Sequence, residues 1–337
     1  GRFLRFRVGH AVAAAPLLEW VRDQAADRAF SPSELEDFIA CPQRHFLSRQ
    51  LHLSEISEEV GAAAIGTLLH AVLRALFTEC REEGAGASAG GPPAPFLLPD
   101  DAPTRAAAIL DACLAEYIND PRGWRREMVR HAARECLERF LEEEREYLER
   151  TGLVPSCFEL AFGPQPEQRG AAPHPASRRE PLVIHSPSGD VQIAGKMDRV
   201  DLTPDGQAGV VTDYKLSRGA VLKEMLEGKS LQMPIYLLAM EQVFGIPAVA
   251  AIYRPLRKGD TYWLFRPGLV PNLRPCGRGD AAPAGRYAEL VETVRSAVLQ
   301  AAAGIRAGEC NPTPGDICQF CPFPDVCRPD ESTAVGS

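Results

Sequence analysis

Three residues in the middle of the chain carry a recognisable chemistry. Asp213 and Lys215 stand two apart in Val210-Val-Thr-Asp213-Tyr214-Lys215, and Asp198 precedes them in Gly195-Lys-Met-Asp198-Arg199. Both stretches have the short apolar runs of strands. Strand side chains alternate between faces, so Asp213 and Lys215 share one face. A hairpin between the two strands would bring Asp198 alongside them. Two carboxylates beside an ammonium suit a hard divalent cation held through oxygen. Such a cation lowers the pKa of bound water and offsets phosphate charge. A neighbouring lysine orients or deprotonates that water and stabilises the negative charge that develops. The D-x-K triplet is weak by itself, because aspartate–lysine pairs are commonly surface ion pairs that contribute little.

A second constellation closes the chain. Cys318-Gln-Phe-Cys321 followed by Cys327 forms a C-x₂-C-x₅-C run in a Pro-rich tail, and such close spacing lets thiolates converge on one centre. A fourth ligand is needed. Cys310 is nearest, and Cys41, in a Cys-Pro pair, is the other choice; spacing does not decide between them. Nor does it name the metal, since four cysteines suit an iron–sulfur cluster or Zn²⁺. Cys80, Cys113, Cys136, Cys157 and Cys276 read as small buried residues.

The elements that must position these groups make an α+β pattern. Ser31-Pro-Ser-Glu34 is a marked helix start, and the helix it opens ends near Cys41. Helices follow over 61–83, 105–118 and 124–151, the first two separated by a Gly/Ala/Ser/Pro-rich flexible loop over 84–104. The dense charge of Glu142-Glu-Glu-Arg-Glu146 reads as a solvated helix face. From residue 155 onward strands predominate: 158–162, 182–185, 191–194, 197–202, 209–214, 249–253 and 261–265, with helices over 231–244 and 285–307. Residues 1–30 read as a lead-in and 329–337 as a disordered tail. The organisation expected is thus a helical part over 31–154, a catalytic core over 155–308 and a cluster-binding tail over 309–328.

Composition excludes several classes. The chain has 337 residues, 24% of them charged, and a formal net charge of −8. That balance disfavours intrinsic disorder and a simple DNA-coating protein. Ten cysteines in a large chain, clustered toward one end, do not resemble a secreted disulfide framework; they fit metal ligation in a reducing, cytoplasmic setting. No apolar run approaches a membrane span. No G-x-x-x-x-G-K-[ST] motif occurs, so ATP binding is not expected in these residues.

Taken in order, Ser31-Pro-Ser-Glu-Leu-Glu-Asp-Phe-Ile-Ala-Cys41-Pro, Gly66-Thr-Leu-Leu-His70, Gly195-Lys-Met-Asp198-Arg199, Asp213-Tyr-Lys215 and Gln232-Met-Pro-Ile-Tyr236 resemble the motifs of the PD-(D/E)XK nuclease superfamily, in its RecB-like branch. The resemblance covers about residues 31–328. It implies a restriction-endonuclease-like mixed sheet flanked by helices, and a DNA nuclease requiring Mg²⁺ or Mn²⁺. Asp198, Asp213, the Tyr214 carbonyl and His70 are implied as metal ligands and Lys215 as the catalytic lysine. Gln232 and Tyr236, one helical turn apart, are implied to line the DNA side of the site. The Cys41-Pro context is similar to that of the AddB-type and CRISPR-associated iron–sulfur nucleases, which implies a [4Fe–4S] cluster on Cys41, Cys318, Cys321 and Cys327. The further implications are exonuclease action in double-strand-break repair, DNA with single-stranded ends, either a helicase domain or subunit alongside or a stand-alone exonuclease, and a place at the nucleoid. A non-catalytic DNA-binding module that keeps the cluster is the competing reading. Two residues stay open. Glu159 is either an acidic site residue or a strand-surface glutamate, and Arg199 either contacts phosphate or braces Asp198.

Overall fold

The computed structural model describes residues 28–53, 62–84, 96–118, 123–165, 174–216, 219–257, 259–268 and 278–327, with 19, 22–23 and 25. The tail over 329–337, Cys276 and most of the lead-in lie outside the described residues.

A six-stranded mixed sheet organises the molecule. Its strands are β1 (Val154–Phe162), β4 (Gly195–Leu202), β5 (Gly209–Lys215), β6 (Ala248–Pro255), β7 (Tyr262–Phe265) and β8 (Arg278–Ala281), and they lie side by side in that order. A separate hairpin pairs β2 (Leu182–Ile184) with β3 (Val191–Ile193). β5 is antiparallel to β4 and parallel to β6. Both central strands are buried along almost their whole length, which explains their unbroken Val, Ala and Ile runs.

Two layers cover the sheet. On one face lie α3 (Ala62–Gly84), α4 (Ala102–Tyr117) and α5 (Trp124–Thr151). They share a core with Val154, Phe158, Val210, Tyr214 and Ile252. On the other lie α1 (Pro32–Ala40), the short α6 (Leu222–Leu226), α7 (Gln232–Gln242) and α8 (Ala284–Ala307), packed on Leu160, Phe162, Met197 and Val211. The expected mixed sheet between helices is therefore present. α7 is the crossover between parallel strands β5 and β6, which places its first turn above the end of β5 that carries the D-x-K triplet.

Several expectations change. The loop expected over 84–104 is shorter at its far side: Phe96 is buried against Phe77, and α4 begins at Ala102; residues 85–95 are outside the described set. The lead-in ends inside the core, where Phe30 is fully buried and bridges to Ile193. Beyond Cys41 the chain continues helically, through α2 (Pro42–His45) and a π-helical turn (Phe46–Gln50). α6 and β8 have no counterpart among the expected elements; β8 is exposed and lacks apolar alternation.

The solvated-face reading of 142–146 is wrong at Glu144. This residue is 0% exposed and pairs with Arg199 at 2.7 Å and with Arg254. Arg199, also 0% exposed, lies 2.9 Å from Asp201, whose carboxylate accepts from Tyr147 at 2.8 Å. Arg199 stacks over Phe77, its guanidinium 4.9 Å from the ring centroid, and Arg254 over Phe140 at 4.5 Å. Arg199 thus neither reaches phosphate nor braces Asp198: it faces the α3–α5 layer. A surface helix turns one residue in three or four inward, and a charged residue there survives only when paired.

Removing one member of such a network strands its partners. Glu144→Ala is expected to cost about 3–5 kcal/mol, whereas exposed Glu142→Ala should stay within about 0.5 kcal/mol; chemical denaturation midpoints measure both.

Candidate active site and cysteine centre

The alternation of β1 and β4 breaks at the same level. Phe158 packs in the α3–α5 core and Leu160 in the other, although regular strand residues two apart share a face. Met197 and Arg199 are divided in the same way. The pairing Phe158↔Arg199 and Leu160↔Met197 sets Glu159 opposite Asp198 at the break. Glu159 has φ +56°, a conformation costing a non-glycine residue of the order of 1–3 kcal/mol. The distortion frees both carboxylates from the sheet faces and lets a helix residue meet them.

That residue is His70 of α3. Its Nδ1 is 3.4 Å from Asp198 Oδ2, and its Nε2 is 3.1 Å from the Tyr214 carbonyl oxygen. His70, Glu159 and Asp198 each offer one ligand atom, all within 4.8 Å of one another. The Tyr214 amide donates to Asp198 Oδ2 at 2.9 Å, tying β4 to β5. Lys215 Nζ is 2.7 Å from Asp213 Oδ2 and donates to Gln232 Oε1 at 2.8 Å. The Gln232 amide donates to Asp213 Oδ1 at 2.9 Å and to the Tyr236 hydroxyl at 3.2 Å. Tyr236 in turn donates to the Lys196 carbonyl at 2.8 Å, and Lys196 forms an ion pair with Glu159. Gly195 makes room here: a Cβ would lie 2.8 Å from the Phe162 ring and 3.2 Å from Tyr236.

The structure brings all of the sequence-predicted residues His70, Asp198, Asp213, Tyr214, Lys215, Gln232 and Tyr236 into one connected site. It adds two. Glu159 replaces Asp213 in the tightest donor group, and Asp213 sits closer to the lysine. Glu36 of α1 caps α7 from outside, accepting from the Leu231 amide at 2.6 Å, the Gln232 amide at 2.9 Å and the Ser230 hydroxyl at 3.3 Å. Nothing local distinguishes Glu36 from Glu34 or Asp37, the other acids of its helix; only the packing of α1 on α7 gives it a role.

Electrostatics fit a cation. Burial opposes charge on His70, but Asp198, Asp213 and Glu159 outweigh it and hold its pKa up to about 9. Burial and then the Asp198 charge push Asp213 up to about 7, against the pull of Lys215. Asp198 is held below the usual carboxylate range, because His70 and the Tyr214 amide outweigh its burial. Burial opposes the Lys215 charge too, yet Asp213 raises its pKa. Two buried carboxylates therefore share too little positive charge. Asp213 Oδ2, although near Lys215, receives no aligned hydrogen bond. Imidazole and carboxylate oxygens form a donor set that a divalent cation accepts.

The second centre lies at the far end of α1. Cys41, Cys318, Cys321 and Cys327 line one cavity, walled by Leu47, Pro312, Ile317 and Phe323. The Thr313 amide donates to Cys41 Sγ at 3.4 Å, and Cys327 Sγ donates to Gln43 Oε1 at 3.3 Å. Burial and the three neighbouring cysteines raise the Cys327 thiol. Cys310 is buried but does not line this cavity.

A family model described as the PD-(D/E)XK nuclease superfamily matches residues 29–328, from just before α1 through the last cysteine. The chain belongs to this superfamily. Similar proteins include three whose names describe a subunit of an ATP-dependent helicase/deoxyribonuclease. That of Geobacillus kaustophilus (strain HTA426) is 29% identical over 230 residues, 66% of this chain and 18% of the relative. That of Desulforudis audaxviator (strain MP104C) is 26% identical over 363 residues, 89% of this chain and 29% of the relative. That of Bacillus subtilis (strain 168) is 30% identical over 212 residues, 61% and 17% respectively. The chain therefore spans less than a third of the length of these relatives.

In this superfamily member Glu36 holds the first turn of α7, and with it Gln232, against the lysine. Glu36→Ala is expected to lower stability by about 1 kcal/mol, as for a lost helix cap. Any nuclease activity should fall about ten-fold or more, because Gln232 is no longer held against Lys215. Glu36→Gln, which keeps an acceptor oxygen, should fall between; unfolding curves beside a cleavage assay separate the effects.

Proposed function

We propose that this chain is the nuclease portion of a helicase–nuclease and hydrolyses DNA phosphodiesters in repair. The carrying observation is Lys215, held between Asp213 and Gln232, beside the His70–Glu159–Asp198 donor set. A non-catalytic module has no need to keep a half-buried lysine and three acids at such proximity.

Asp198, Glu159 and His70, with Asp213 and the Tyr214 carbonyl adjoining, would hold Mg²⁺ or Mn²⁺. When bound, that ion supplies an activated water and charge to offset the phosphate. Lys215 remains an ammonium, since its pKa is raised. Its part is therefore to orient the attacking water and donate to the phosphoryl oxygen as negative charge grows there. Gln232 fixes Lys215 by accepting from it, and Tyr236 fixes Gln232. His70, carried by the helical layer, joins that layer to the site.

The relatives' name supports a DNA substrate and an ATP-driven helicase elsewhere in the assembly; single-stranded ends as substrate, exonuclease action and a place at the nucleoid are part of the proposal and rest on the resemblance of the motifs alone. End-labelled single- and double-stranded DNA, with Mg²⁺ and with Mn²⁺, provides the assay. Lys215→Ala should reduce cleavage at least about hundred-fold, and equal cleavage by both proteins would sink the reading. Short labelled products appearing first indicate exonuclease action.

The cysteine centre would carry a [4Fe–4S] cluster on Cys41, Cys318, Cys321 and Cys327, tying the tail to α1 across a long loop. In anaerobic preparations Cys41→Ala should lose iron, visible colour and several degrees of melting temperature, while Cys310→Ala keeps all three. Stoichiometric zinc in a colourless wild-type protein would replace iron in this scheme, and iron loss from Cys310→Ala alone would overturn the ligand assignment.

A further inference from the structure

The helical layer carries an exposed aromatic that the catalytic site does not use. Trp124 opens α5 with 51% of its surface exposed, and Met128, one turn later on the same face, is 64% exposed. The Arg125 guanidinium sits 5.3 Å from the Trp124 ring centroid. Residues 124–134 hold four arginines and one glutamate, on a chain whose net charge is −8. Arg125 and Arg126 directly follow the tryptophan, and Arg130, one turn further on, pairs with Asp111 and Glu127.

The helix arrangement relates this patch to the catalytic site. α4 runs antiparallel to α3: Arg105 pairs with Glu83 at one end, and Tyr117 lies within reach of the charges of Arg74 and Glu159 at the other. α5 returns antiparallel to α4, with Arg130 beside Asp111 and the Arg126 guanidinium 3.5 Å from the Ile118 carbonyl. The start of α5 therefore lies beside the end of α4, whose Tyr117 faces the charges of Arg74 and Glu159. Phe140 of the same helix, about 24 Å further along its axis, meets Tyr214 edge-on, ring centroids 5.5 Å apart.

We propose that Trp124, with Met128, Arg125 and Arg126, is a stacking platform for single-stranded DNA, which holds the substrate strand along the helical layer that leads to the catalytic centre. The inference rests on the nuclease reading above and specifies how its substrate is held. An indole face accepts any base, which suits an enzyme that must degrade without regard to sequence. The guanidinium on the ring adds cation–π attraction, and the arginines answer the phosphates.

The probe is fluorescein-labelled oligothymidylate, titrated with the chain by anisotropy without added divalent metal, so that binding is read without cleavage. Trp124→Ala should weaken binding about ten-fold, within the range of one lost base–aromatic stack. Trp124→Phe should restore most of it, and the melting temperature should not move because the residue is exposed. Binding by Trp124→Ala within about two-fold of wild type, well short of one lost stack, would overturn the platform and leave the patch to a protein partner. Failure of the wild type to bind oligothymidylate would overturn it as well. Neither result touches the nuclease reading, which stands or falls on cleavage by the Lys215→Ala protein.

Discussion

The whole arrangement depends on the sheet changing sides at one level. A regular strand pair presents each residue to one layer or the other. At Glu159 and Asp198 the alternation fails in both strands, and two carboxylates are left at the seam between layers. This makes one site accessible to a histidine from α3 and a glutamine from α7, helices on opposite faces of the sheet. The left-handed backbone of Glu159 is the local cost. The burial of hydrophobic residues on either side of it, Phe158 in one core and Leu160 in the other, holds it in place.

Charge is segregated across this seam. Behind β4 and β5, Arg199, Arg254, Glu144 and Asp201 balance one another in a closed group with Tyr147 and Tyr214. In front, the acids outnumber the cations, and Asp213 is pushed toward neutrality. Adjacent residues on the same strands serve the two regimes: Asp198 beside Arg199, Asp213 beside Tyr214. One set is complete in itself and holds layers together. The other is incomplete, and its His70, Glu159 and Asp198 donors converge.

Sequence periodicity exposed the main helices, the central strands and the D-x-K face, because each is a local pattern. It also placed Asp198 next to Asp213 through a hairpin that the structure contains. What stayed hidden depends on contacts distant in sequence. Glu144 looked solvated because its two arginine partners lie 55 and 110 residues away. Glu159 was ambiguous because its value lies in a break of alternation, which no propensity records. Glu36 gave no local signal, since its partners are backbone amides of another helix. The choice of Cys41 over Cys310 came from resemblance; Cys41 shares a cavity with the tail cysteines, and Cys310 does not line it.

α1 is only nine residues long, from Pro32 to Ala40, yet it touches both centres. Glu36 grips the first turn of α7, and Cys41 stands at the helix end five positions later. A helix advances about 100° per residue. Inserting or deleting one residue between these two would swing one of them around the barrel of the helix while the other stayed fixed. The interval from Glu36 to Cys41 is thus as intolerant of length change as the single residue separating Asp213 from Lys215, although it contains no catalytic group.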